Sequence, residues 1–104
     1  MGGWVYILCN KQHGVLYTGV TAFLPERIMQ HREGKGSVFC RRYDVKRLVH
    51  VEHYPEIEAA IAREKAIKAW KRAWKIELIE KGNPDWRDLF DDMPDRQRSQ
   101  LSLG

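Results

Sequence analysis

Cysteine is scarce in this 104-residue sequence: Cys9 and Cys40 are the only two, and they form no CxxC pair. That excludes a disulfide framework and a cysteine-built zinc clasp, and two isolated thiols fit a reducing compartment. Long hydrophobic runs are also missing. No stretch approaches the ~20 apolar residues needed to span a bilayer, so no membrane-crossing helix is expected. The first residues lack a basic segment followed by an apolar core and a small-residue cleavage site, and the expected location is cytoplasmic. Nor is there an internal repeat or a low-complexity block. What remains is one globular domain with a modest core, since 43% of residues are hydrophobic and 31% charged.

The net charge of +4 is unevenly distributed. Residues 85–104 carry three arginines against five aspartates, which leaves about +6 on the first 84. A basic body with an acidic end is compatible with a polyanionic partner, because clustered Lys and Arg release counterions from phosphates. Charge alone does not establish such a partner.

The run Trp4-Val5-Tyr6-Ile7-Leu8 is aromatic and β-branched and predicts a strand buried on both faces. Turn residues follow from Asn10 to Gly14, and Val15–Thr21 reads as a second strand, completing an antiparallel hairpin. Pro25 opens a short helix that stops before Gly34, in a Gly-Lys-Gly-Ser loop. A third strand is expected over Val45–Tyr54, with Val45, Arg47, Val49, Val51 and His53 on one face. Pro55 and Glu56 begin one long helix whose apolar stripe is Ala60, Ile67, Trp74 and Leu78, with Trp70 beside it. Gly82 ends that helix, and Asn83-Pro84 reads as the cap and first position of a shorter final one. The predicted fold class is α/β in the broad sense (α+β). It is a small three-stranded antiparallel sheet flanked by helices, in the order β-β-α-β-α-α. The expected domain covers residues 1–92, with a polar, frayed tail over 93–104.

"VYIL" followed by "LYTGVT" resembles the paired strand motifs that name the GIY-YIG nucleases. "FLPERIMQH" is similar to that family's helix bearing an arginine and, one turn later, a histidine. "KRLVHVEHY" resembles its third strand, "AIAREKAIKAWKRAWKIELI" its glutamate-bearing helix, and "GNPDW" its C-terminal asparagine element. Each motif is short and degenerate; their order and spacing over residues 3–90 carry the resemblance, which is closest to small stand-alone bacterial members. The first motif departs from the pattern, reading Trp4-Val5-Tyr6 rather than Gly-Ile-Tyr, and the second reads Tyr17-Thr18-Gly19. Both tyrosines and the glycine are retained.

The resemblance implies a catalytic set of Tyr6, Tyr17, Arg27, His31 and Glu64, with Glu64 as the ligand of one Mg²⁺ or Mn²⁺ ion. Phosphodiester hydrolysis needs a positioned water, a proton acceptor and positive charge facing the phosphorane oxygens. Mg²⁺ accepts one or two protein carboxylates and fills its other positions with water and phosphate, so a lone glutamate suffices. Each residue has an ordinary alternative. Glu64 could simply pair with Lys68 four residues on, Arg27 and His31 could be solvated on a short helix, and the tyrosines could be core aromatics with satisfied hydroxyls. Guanidinium geometry suits two phosphate oxygens at once, which favours Arg27 as the clamp. Which tyrosine takes the proton stays open, with a slight preference for Tyr17. Gly19 is expected to allow close approach within the strand, and Asn83 to be a helix cap and a site support by resemblance only. His50 and His53 flank Glu52 but fall on opposite strand faces, so no zinc site is expected there.

Lys35, Arg41, Arg42, Lys46 and Arg47 are the densest basic stretch and are expected to track a nucleic-acid backbone or to form a solvated loop. The function these readings imply is a metal-dependent endonuclease acting on DNA rather than RNA, with little sequence specificity unless a protein partner supplies it. The alternatives are an inactive nucleic-acid-binding module of the same fold and, more remotely, a protein–protein adaptor using the tryptophan-rich helices.

Overall fold

The apolar run near the N-terminus is the middle strand of the sheet, which explains why it is apolar on both faces. The computed structural model of the chain describes residues 1–92, so the expected tail over 93–104 lies outside the described residues. Strand β1 (Gly3–Cys9) pairs antiparallel with β2 (Leu16–Thr21) on one side and with β3 (Arg47–Tyr54) on the other, giving the order β2-β1-β3. The hairpin turn closes where Asn10 Oδ1 accepts from the Val15 amide at 2.8 Å and the Lys11 carbonyl accepts from the Gly14 amide at 2.9 Å.

Helix α1 (Leu24–Arg32) begins with Pro25 in its first turn, where no N–H is needed, and the chain leaves it through Gly34 at φ +78°. Helices α1 and α2 (Val38–Tyr43) cover one sheet face, packing Leu24, Ile28 and Cys40 against Tyr6, Leu8 and Leu48. Helices α3 (Ile57–Ala69) and α4 (Arg72–Gly82) cover the other, packing Ala60, Ile67 and Ile79 against Val5, Ile7, Cys9 and Val49. The three-stranded antiparallel sheet with flanking helices is the α+β architecture expected from the sequence.

Four local features differ from expectation. Helix α2 forms within the basic stretch: Ser37 Oγ accepts from the Cys40 amide at 3.4 Å, and Cys40 is its one buried residue. With Val38 and Phe39 facing solvent, its sequence carries no amphipathic period. The expected long helix breaks at Trp70 and Lys71, both in extended conformation. No proline or glycine marks the break. Arg72 donates to the carbonyls of His13 at 2.8 Å and Gly14 at 2.5 Å, tying the start of α4 to the hairpin turn. The break turns Trp74 out to 52% exposure and brings Ile79 into the core instead.

The third strand contains a bulge. Ile7 pairs with His50 but Leu8 with Leu48, so Val49 is an extra residue and the side-chain alternation resets. Leu48 and Val51 therefore pack on the same face, and the predicted face shared by Val49 and Val51 does not exist. Finally, Asn83-Pro84 starts no α-helix; the chain turns, and only a short 3₁₀ segment, Leu89–Asp92, follows. Asn83 is buried, and its amide donates to the carbonyls of Val49 at 3.2 Å and Arg87 at 2.9 Å while accepting from the Arg87 amide at 3.0 Å. It closes the bulge of an edge strand rather than capping a helix.

Candidate active site

Cross-strand register sets the first contact. Tyr6 on β1 stands opposite Gly19 on β2, and a Cβ at position 19 would lie 2.4 Å from the Tyr6 ring and hydroxyl. Only glycine leaves the room for that ring to lie over the edge strand. The Tyr6 hydroxyl then meets Nε2 of His31, on the last turn of α1, in a hydrogen bond of 3.0 Å. Tyr17, two residues before Gly19, presents its ring edge-on to His31 at 5.4 Å between centroids and lies 6.4 Å from the Tyr6 ring. Gly36 covers the far side of the imidazole, where a Cβ would fall 2.6 Å from Nδ1. Nδ1 has no hydrogen-bond partner among the described residues.

Burial sets the charge states. It pushes the Tyr6 phenol well above its usual range; the neighbouring Tyr17 adds to this, Arg27 opposes it, and Glu64 raises it further. The His31 imidazole is pushed below its ordinary value by burial first and by the positive charge of Arg27 second. At neutral pH the pair is therefore a protonated phenol and a neutral imidazole. Arg27 lies one turn before His31 on α1, half-buried beside Thr21, Phe23 and Gln30.

Glu64 comes from α3, on the opposite side of the sheet, yet its charge reaches Tyr6. The edge position of β2, against which α3 packs, leaves only that strand between the two. The Glu64 side chain is 12% exposed and pairs with Lys68 Nζ at 2.9 Å, so the ion pair foreseen as its ordinary alternative is present. Among the described residues no cluster of three or more His, Cys, Asp or Glu could hold a metal ion. The donor set fits an ion that needs one carboxylate and brings its own water, as Mg²⁺ does, and does not fit a caged zinc.

The fold thus brings Tyr6, Tyr17, Gly19 and His31 together at one sheet edge, with Arg27 one turn from His31 on α1 and Glu64 on α3, the helix packed against that edge strand. Asn83 is elsewhere, just after α4 and bonded to the far edge strand at the Val49 bulge. The basic stretch divides. Lys35 pairs with Glu33 at 3.4 Å and Lys46 with Asp44 at 3.2 Å. Arg41 lines a groove with Lys35 and Ser37, while Arg42 lies 5.6 Å from the Tyr43 ring centroid. Arg47 is half-buried and donates to the Trp86 carbonyl at 3.3 Å, which ties it to the turn that follows α4. His50 and His53 do diverge: His50 Nε2 donates to the Glu52 carboxylate at 2.8 Å, and His53 packs on Trp4 at 4.4 Å. Gly36 is absent from the residues singled out in the sequence. Its signal was the second glycine of the Gly-Lys-Gly-Ser loop, one more than a helix stop requires.

A hairpin-first three-stranded sheet, with polar groups gathered where its outer strand meets a following helix, is the layout of a GIY-YIG domain. The model of the GIY-YIG catalytic domain matches residues 2–77, and the chain belongs to the GIY-YIG nuclease family. A UPF0213 protein of Haloquadratum walsbyi is 36% identical over 80 residues, covering 76% of this chain and 88% of that one. Another, from Syntrophus aciditrophicus, is 37% identical over 84 residues, covering 79% and 93%. Among solved structures, the UPF0213 protein of Bacillus halodurans, determined in solution by NMR, is similar with a TM-score of 0.53 and 31% identity, covering 85% of this chain and 93% of that one. No helix among the described residues is long and apolar enough to cross a membrane.

Proposed function

We propose that the protein is a metal-dependent endonuclease that hydrolyses phosphodiester bonds in DNA with little sequence preference. The observation that carries this reading is the Tyr6–His31–Tyr17 cluster at one sheet edge, with α3, the helix that bears Glu64, packed against the same edge strand. Core aromatics with satisfied hydroxyls would not require a carboxylate delivered from the other side.

Arg27 grips two non-bridging phosphate oxygens with its planar guanidinium and faces the charge that builds on them. Tyr6 stays protonated and, held by His31, serves as a hydrogen-bond donor and positioning group. Tyr17 is half-buried and free of that hydrogen bond, so its hydroxyl can take the proton of the attacking water as it passes its own proton to solvent. Glu64 would hold a divalent cation, Mg²⁺ or Mn²⁺, which would supply positive charge for the leaving oxygen. Lys35, Arg41 and Arg42 hold the strand by its phosphates without reading bases.

Glu64→Gln tests the mechanism. The amide has nearly the same size and helix propensity, so the fold is kept. Cleavage of plasmid or single-stranded DNA in Mg²⁺ should be nearly abolished and DNA binding retained. Equal cleavage by wild type and Glu64→Gln would sink the mechanism. The Glu64–Lys68 ion pair favours one other reading, a binding module whose carboxylate is taken up by lysine. Its signature is DNA binding by the wild type with no cleavage in Mg²⁺ or Mn²⁺.

A further inference from the structure

Helix α2 has six residues and buries only Cys40, while Val38, Phe39 and Tyr43 stand 72%, 41% and 43% exposed. These are large apolar side chains on a basic protein, and two of them continue a line of rings that begins in the candidate active site. Tyr17 stacks on Phe39 at 6.1 Å and 29° between planes, and Phe39 meets Tyr43 at 4.9 Å. Cations border the line. Lys68 and Lys75 line the groove beneath Tyr17 and Phe39, a space of about 360 Å³, and the Arg42 guanidinium sits 5.6 Å from the Tyr43 ring.

Exposed rings flanked by Lys and Arg are the chemistry that binds single strands: bases stack on the rings while cations follow the phosphates. Bases in a duplex are already stacked on one another and cannot use such a surface. From this we infer that the Tyr17–Phe39–Tyr43 ladder stacks unpaired nucleobases next to the scissile phosphate, so that the protein selects single-stranded or locally unpaired nucleic acid over duplex. The inference rests on the proposed function for the class of ligand and adds which form of it is taken. Charge complementarity favours this occupant over a second copy of the chain, which would bring the same cations to the same surface. Continuity favours it as well, since Tyr17 belongs to both the ladder and the candidate catalytic group.

The test measures binding in chelator, where no cleavage occurs. Full-length protein is titrated with a short oligothymidylate, an abasic strand of equal length and charge, and a duplex of that length. Stacking of one or two bases predicts that oligothymidylate binds about 10- to 100-fold more tightly than the abasic strand. Phe39→Ala should bring that ratio close to one and leave affinity for the abasic strand unchanged, and Phe39→Trp should restore it. Because Phe39 is solvent-facing and alanine favours helix, the variant should fold; Tyr43→Ala, lowering the ratio in the same way, is the independent check. Equal affinity for the oligothymidylate and abasic strands overturns the inference. So does wild-type self-association that Phe39→Ala abolishes without altering the binding ratio, which assigns the patch to a second copy. A base-dependent ratio in a protein that never cleaves leaves the stacking intact and removes the nuclease reading; cleavage without such a ratio does the reverse.

Discussion

At the scale of single residues, the decisive one is the glycine at position 19. It has no side chain to contribute, and its value is the space that Tyr6 occupies. Gly19→Ala should push the Tyr6 ring off His31, costing about 1–3 kcal/mol of stability through overpacking. Cleavage should fall on the order of 10²-fold if Tyr6 positions the phosphate, measured against a melting curve showing that the variant is still folded. Glu52 shows a different kind of control. Burial alone would raise its pKa, but hydrogen bonds from Arg63, His50 and Tyr54 overcome this and hold it at about 2, against an ordinary 4.5. A carboxyl depressed in the folded state stabilises fully above 4.5 and loses that contribution as pH falls through 4.5 toward 2. The lowered His31 acts in the same direction at higher pH, because below 6.5 the unfolded chain takes up a proton that the folded one resists. Melting temperature should therefore fall in two acid windows. Glu52→Gln should abolish the lower one, and a lower window that persists in that variant would remove Glu52 as its source.

At the scale of elements, most of the fold was legible. The continuous apolar run marked the central strand, Pro25 marked the start of α1, and the glycine loop marked its end. Three elements escaped because their causes are tertiary. The α3–α4 break depends on Arg72 reaching the hairpin turn, a contact with no trace in local sequence. Helix α2 depends on one buried cysteine and one serine cap. The Val49 bulge shows only in the pairing with β1, and Asn83, which satisfies its carbonyl, looks locally like a helix cap. The two readings of Asn83 predict different magnitudes. A lost cap costs ~1 kcal/mol. Asn83→Ala here removes three hydrogen bonds and leaves the Val49 carbonyl without its partner, so about 2–4 kcal/mol is expected. That corresponds to a fall of roughly 8 °C or more in melting temperature, and a drop of only a few degrees would return Asn83 to the role of a simple cap. The candidate residues Tyr6, Tyr17, Arg27, His31 and Glu64 were picked out by the resemblance to the GIY-YIG motifs, since each alone reads equally as a core aromatic, a surface charge or an ion pair. Gly36 was not, because what it contributes is an absence of atoms beside His31.

At the scale of the whole molecule, charge and topology matter most. The basic body predicts that DNA affinity falls steeply between low and moderate salt, in proportion to the number of phosphates contacted. A salt-insensitive affinity, measured by titration at several ionic strengths, would remove the phosphate contacts assigned to Lys35, Arg41 and Arg42. The strand order β2-β1-β3 has a further consequence, in the time domain of synthesis. The middle strand is made first. Its hairpin partner follows at once and ends at Thr21, but the strand that completes the sheet begins only at Arg47, about 26 residues later. At about 5–20 residues per second that is a wait of a few seconds with one apolar strand edge unpaired. During that interval the segment Val5 to Cys9 has β-forming, uncharged residues on display, the composition that aggregates most readily. The growing chain is most exposed to misassembly between the birth of its hairpin and the arrival of Arg47, and a holdase acting in that window would raise the yield of folded protein more than one acting after release.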